Sequence, residues 1–363
     1  MSKIKKMTTI GGQALIEGIM MKGPDKTAIS VRTPSGEIDT DYVYESSVKD
    51  KYKILALPVI RGAVTFVESL INGYKALMIS ADKSGMTDLE EENNAPQNSE
   101  NNSENSAEDN TENSAENNTE TENENNAETA EQPQKENGAE KNGEKDNSVL
   151  MGAVMIIGSV LGVVLALFLF MYLPALLFDL LNKLTGNALP NGIRPLFEGV
   201  LKIAIFVGYI ALVSLEKDIK RVFMYHGAEH KSIFCYEKGL DLTVENVREQ
   251  SRFHPRCGTS FMILMLVVGI IISFVIVTFF PAITKLRKLW VAIKILLVPF
   301  VCGLGYELIR ICGRHDNWVT RIISAPGMWV QRLTTKEPED DMIEVAIASL
   351  TAVIPDDPEK DRW

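Results

Sequence analysis

Cysteine and histidine are both scarce in this chain, four of each among 363 residues. The cysteines stand singly, which argues against a disulfide framework. No apolar run sits at the N-terminus, so a cleavable signal peptide is not expected. The run "GGQALIEGIMMKGP" carries Gly11, Gly12, Gly18 and Gly23. It lacks the strand–loop–helix pattern ending in lysine that marks a nucleotide loop. No internal repeat is evident. Charge itself is missing over long stretches, and that absence is the most informative.

Four apolar runs, 149–181, 199–215, 258–280 and 289–308, hold very few charged side chains. A helix crossing a bilayer needs about 20 apolar residues. The first run is long enough to tilt, or to end at Pro174 with a short interfacial tail. The second is short, with Lys202 placed to snorkel its amine towards water. The pattern predicts a mainly α, polytopic membrane protein with about four transmembrane helices. Lys217, Lys220, Arg221, Lys231, Lys238, Arg248, Arg252 and Arg256 make the 216–257 connection strongly basic. By the positive-inside rule that connection and both termini face the cytoplasm. The expected location is therefore a multi-pass protein of the cell membrane.

The formal net charge of −11 conceals this organisation. Residues 86–148 carry 19 acids against 3 lysines in an Asn/Glu-rich tract. Such a segment cannot bury enough apolar surface to offset its chain entropy, so it reads as a disordered linker. The remainder, 29 acids against 34 bases, is mildly basic.

Residues 1–53 read as a small β-rich cytoplasmic unit. "TAISVRTPSGEIDTDYVYE" alternates apolar and polar residues around Pro34-Ser35-Gly36, the pattern of a hairpin. Gln13 and Glu17 read as structural or docking residues, Glu17 also as a site candidate. Residues 54–85 have helical apolar spacing interrupted by Arg61, Glu68, Asn72 and Lys75, which predicts an amphipathic helix on the membrane or against the bundle. Then come the linker, the first two spans (149–215), the basic 216–257 connection, the last two spans (258–308) and a C-terminal region (309–363). There, "DDMIEVAIASLTAVI" predicts an amphipathic helix packed on the cytoplasmic part or on a second copy.

The chemistry concentrates in "MYHGAEHKSI". On a helix His226 and His230 lie about 40° apart and share a face, so they can grip one ion. Glu229 sits on the adjoining strip. Cys235 points the opposite way, and Glu237 lies more than ~10 Å along the axis from His230. His-x-x-Glu-His is the inverted zincin pattern, in which the glutamate is general base to a metal-activated water. It is a short pattern, and a polar helix face would produce it too. A second cluster, "RFHPRCGTSF", places His254 and Cys257 three apart before a glycine, like the turn of a zinc knuckle with His in place of the first Cys. The expected metal ligands are His226, His230, His254 and Cys257, with zinc favoured by the His/Cys set. Glu307, near the end of the fourth run, is a further candidate ligand; the alternative is an ion pair with Arg310 or Arg314.

"IGGQALIEGIMMKGP", "YHGAEHKSI", "RFHPRCGTSF" and "PGMWVQRLTTKEPEDDMIEVAIASL" together resemble the YqhQ-like family of bacterial integral membrane proteins of unknown function, described as predicted metal-dependent enzymes. The resemblance spans nearly all of the chain except the 86–148 insert. It implies a membrane protein with a metal site built from His226, Glu229, His230, His254 and Cys257, and supplies no substrate. The expected function is a zinc-dependent hydrolase at the cytoplasmic membrane face, with Glu229 as base. The alternative is a scaffold or regulatory protein with a structural zinc clamp. A transporter is a third option, disfavoured by how few polar residues the spans contain. The expected partners are the lipid bilayer and either a second copy or a membrane protein; no nucleic acid is expected.

Overall fold

The computed structural model describes residues 7–44, 47–85, 157–158, 160–190, 192–315 and 317–361. The expected linker at 86–148 and the opening of the first apolar run lie outside them.

Strands β1 (Gly11–Leu15), β2 (Gly18–Lys22), β3 (Thr27–Arg32) and β4 (Ile38–Val43) form one antiparallel sheet in the order β1-β2-β3-β4. The helices that follow are α1 (Val48–Lys51), α2 (Ile60–Lys83), α3 (Val160–Leu184), α4 (Ile193–Val213), α5 (Lys217–Glu237), α6 (Val244–Arg248), α7 (Gly258–Phe279), α8 (Arg287–Arg314), α9 (Trp318–Thr334) and α10 (Asp340–Val353).

Alternation along the strands sends side chains to two different cores. Ile19, Met21 and Ala28 pack with Tyr225, Ala228 and Ile233 of α5 and with Met342, Ile343, Ala346 and Leu350 of α10. Leu15, Ile29 and Val31 pack on the other face with Ala76 of α2. Each large apolar side chain buried this way contributes on the order of 1.5–3 kcal/mol. The C-terminal helix thus packs on the sheet and α5 of its own chain, where Ser349 Oγ donates to Ile19 O at 3.0 Å.

Helices α3, α4, α7 and α8 are long and apolar enough to cross a membrane. At most 28% of the apolar window in any of them is buried within the protein. Phe274, Phe279, Leu296 and Phe300 are among the side chains left outward. Surfaces of that size and composition are unfavourable in water and suit a lipid environment.

Two of the spans differ from their sequence outlines. Helix α3 continues past Pro174 to Leu184 through a π turn at Phe168–Tyr172, an insertion that absorbs the backbone hydrogen bond proline cannot donate. Helix α4 starts at Ile193, six residues before the apolar run, because its opening charges are neutralised inside the bundle. Arg194 pairs with Asp179 of α3 at 3.1 Å and with Glu198 at 2.9 Å, and Lys294 of α8 reaches Glu198 at 2.5 Å. Arg194, Glu198 and Lys294 are all buried. The spans are therefore more polar inside than their runs suggested.

Candidate metal centre

Helix α5 is packed between the sheet and the 335–338 segment. Glycine inside a helix costs about 1 kcal/mol relative to alanine. At Gly227 the reason is spatial: a Cβ there would collide with Lys336 O. Lys336 N–H donates to Phe223 O at 2.8 Å, which fastens this crossing. The crossing sets Thr334 O 2.9 Å from His226 Nδ1. One turn later, Arg252 O lies 2.6 Å from His230 Nδ1. A carbonyl only accepts, so both Nδ1 atoms carry a proton, and each ring turns its Nε2 inward. Metal-binding histidines are held this way by carbonyls and carboxylates.

Cys257 caps α7. Its Sγ accepts from Thr259 N–H at 3.4 Å and lies 3.1 Å from His226 Nε2. The donor atoms of His226, His230 and Cys257 lie within 4.8 Å of one another. A tetrahedral zinc shell with bonds of about 2.0–2.3 Å places ligand atoms roughly 3.3–3.8 Å apart, so the set fits after small side-chain adjustments. Imidazole and thiolate donors also match zinc's preferences.

Glu229 lies beside this trio. Its Oε1 accepts from Gly12 N–H of β1 at 3.1 Å, and its Oε2 is 3.9 Å from His226 Nε2. A Cβ on Gly12 would come within 2.9 Å of Glu229 Cγ, so a bare backbone is needed at that point. Burial pushes the Glu229 carboxyl up against the pull of the two histidines. Burial alone would raise Cys257, yet the neighbouring imidazoles hold its thiol well below the usual range. Burial alone would lower His226, but the Cys257 thiolate and its hydrogen bond raise the ring to about 9. These shifts describe an imidazolium–thiolate pair sharing a proton, and a divalent cation can substitute for that proton.

His254 and Glu307 lie outside the group of converging donors, although the His254 ring packs 5.6 Å from that of His230. Burial lowers His254 to about 4. Its Nε2 is 3.6 Å from Glu237 Oε2, and its Nδ1 faces Arg256 N–H at 3.4 Å. The other Glu237 oxygen accepts from Thr8 N–H at 3.0 Å and pairs with Arg256. Glu307 is gripped by Arg61 of α2 at 2.7 and 2.6 Å, with Val59 N–H at 3.4 Å. Its hydrogen-bonded ion-pair partner is thus Arg61, and Arg310 also attracts it. Glu17 binds Arg221 through two 2.6 Å contacts and accepts from Tyr225 OH at 3.2 Å, joining the sheet to α5. Cys235 is buried near the Asp241 carbonyl, away from the site.

A cavity of about 800 Å³ opens onto the trio and Glu229. Gly12 and Gln13 form its sheet side, and Phe66, Leu70, Phe261 and Met262 line its walls from α2 and α7. It therefore joins a polar end to an apolar flank belonging to a span.

Sequence reasoning gave no site role to Gly12, Thr334, Arg252 or Gln331. Gln331 accepts from His254 N–H at 2.7 Å and donates to His254 O at 2.6 Å and Ser260 Oγ at 2.9 Å, fixing the turn before Cys257. Three of these act through backbone atoms, and all act across long sequence separations. Only the glycine-rich opening and the "WVQRLTT" stretch signalled them.

A family model described as "Protein of unknown function (DUF1385)" matches residues 57–356, from just before α2 to just past α10. The chain is 30% identical over 357 residues to a Bacillus subtilis (strain 168) protein described as "Uncharacterized protein YqhQ", covering 98% of this chain and 95% of that one. No solved structure matches. The matched stretch contains His226, Glu229, His230 and Cys257, and by its extent the chain belongs to the DUF1385 family of proteins of unknown function.

Proposed function

We propose that the chain is a zinc-dependent hydrolase of the cytoplasmic membrane face, acting on a membrane-borne lipid or peptide. His226, His230 and Cys257 hold the metal, and Glu229 is the general base. The observation that supports this reading is the number of donors: among the described residues three candidate metal donors converge rather than four, with a carboxylate and a cavity beside them. Structural zinc sites are closed by four protein ligands, whereas catalytic sites keep one position open. Zinc bound there supplies Lewis-acid polarisation of water or of a carbonyl.

The residues divide the remaining work. Gly12 N–H orients the Glu229 carboxylate, whose free oxygen faces the trio and receives the proton of the attacking water. Thr334 O and Arg252 O keep both imidazoles turned inward. The Phe66, Leu70, Phe261 and Met262 walls exclude water and accept the apolar part of an amphiphilic substrate. His254 is a positioning residue, locked between Glu237 and Gln331.

The clamp reading keeps one supporting observation: the trio and its carbonyl partners tie α5, the 252–257 turn, α7 and the end of α9 together. Zinc-loaded protein incubated with a membrane extract, with products read by mass spectrometry, separates the two. The enzyme reading expects hydrolysis products from the wild type and none from Glu229→Gln, which keeps its metal and its melting temperature. Equal product release by Glu229→Gln, or no product from either protein, would overturn it.

A further inference from the structure

A second cavity, of about 630 Å³, lies on the other side of the 253–256 turn. Its walls come from the last turn of the fourth span, through Cys312 and Gly313, and from α9, which begins at Trp318 just beyond that span. By position it lies where a spanning helix leaves the bilayer.

Its lining divides in two. Phe234, Phe253, Met328 and Trp329 make an apolar floor and rim. Arg256, Arg321 and Arg332 supply positive charge around it, and His315 adds an imidazole that can hydrogen-bond an anion. Among the described residues the one acid in the lining, Glu237, is engaged by Thr8 N–H, Arg256 and His254.

The outer side of α9 continues the theme. Trp318, Ile322, Ala325 and Trp329 recur at helical spacing and stay exposed, the two tryptophans at 74% and 55%. Exposed tryptophans beside arginines at the end of a span are the composition of a membrane–water interface. A basic rim over an apolar pocket at that depth matches a molecule with an anionic head and an acyl tail. A soluble anion would use the arginines but leave the apolar floor uncovered.

We infer that this cavity binds one anionic phospholipid, its phosphate among Arg321, Arg332 and His315 and the start of its acyl chain along Phe253, Met328 and Trp329. The site is distinct from the metal trio, and its arginines play no part in the proposed hydrolysis.

The test uses the full chain in mild detergent, titrated separately with phosphatidylglycerol, phosphatidylcholine and inorganic phosphate, with bound ligand counted by native mass spectrometry. Phosphatidylglycerol is expected to bind on the order of tenfold tighter than phosphatidylcholine, and equimolar phosphate should not displace it. Arg321→Ala/Arg332→Ala should reduce phosphatidylglycerol binding about tenfold while lipid-free melting temperature and metal content stay at wild-type values. Trp329→Ala should weaken both lipids alike, by loss of the apolar rim. Equal retention of the two lipids, or full retention by the double-arginine variant, would overturn the inference. Displacement by equimolar phosphate would reassign the cavity to a free anion and overturn it as well.

Discussion

Two buried polar clusters sit in different parts of this molecule, and they are built on different principles. In the spans, Asp179, Arg194, Glu198 and Lys294 alternate in sign, and the buried Glu198 lies between two cations. That cluster neutralises itself and ties three helices together. At the junction of α5 and α7, His226 Nε2 and Cys257 Sγ face each other at 3.1 Å, with His230 and Glu229 beside them. Lone-pair donors aimed at one another need a proton or a cation between them. The contrast teaches that burial and charge do not by themselves mark a site; the pairing pattern does.

The largest expected effect is in the span cluster. Glu198→Ala leaves Arg194 and Lys294 buried without their shared carboxylate, and removing one partner of a buried pair costs about 3–5 kcal/mol. Denaturant or thermal unfolding in detergent should show that loss while zinc content stays unchanged. A fully stable Glu198→Ala protein would erase the contrast. Next comes Gly227→Ala, whose new methyl meets Lys336 O. Overpacking of this kind costs about 1–3 kcal/mol, and displacing the Thr334 carbonyl should weaken zinc affinity some 10–100-fold. A competitive zinc-chelator titration reads the second effect.

Gly12→Ala should act more locally. It pushes on Glu229 without touching a metal donor, so zinc content should hold while any hydrolysis falls. The smallest effect concerns acid stability. Burial alone would raise the Glu17 carboxyl, but Arg221 and Tyr225 outweigh it and hold it below its ordinary value of 4.5. A depressed carboxyl adds stability that is fully present above that ordinary value and is lost as pH falls through the folded value. Glu17→Gln should therefore flatten the stability profile below about pH 4.5 and lower the plateau above it. An unchanged acid limb would place the Arg221 contact among surface pairs of little consequence.

Much of this architecture could be read before any coordinates. Apolar runs locate spans because a membrane needs length and little charge, and the β3–β4 hairpin shows in the alternation around Pro34 and Gly36. The ends of the spans were harder. Arg194 and Glu198 look like connection residues until Asp179 and Lys294 are seen to neutralise them. Within the candidate centre, His226, His230 and Cys257 were legible from helical spacing and a turn-like pattern, and Glu229 from its place between the histidines. The contacts of His254 and Glu307 were not. Each is occupied by a partner distant in sequence, Glu237 and Arg61 respectively, and spacing along one helix carries no information about such partners. Gly12 was legible as a glycine worth explaining, but the side chain it makes room for lies 217 residues away.

The most direct measurement is elemental analysis of the full chain, purified in detergent without chelators, beside His226→Ala/His230→Ala and Cys257→Ser. About one zinc per chain is expected in the wild type and none in either variant, with all three proteins folded by circular dichroism. Folded wild-type protein without metal, or variants that keep the wild-type amount, would contradict the metal centre and the hydrolase built on it.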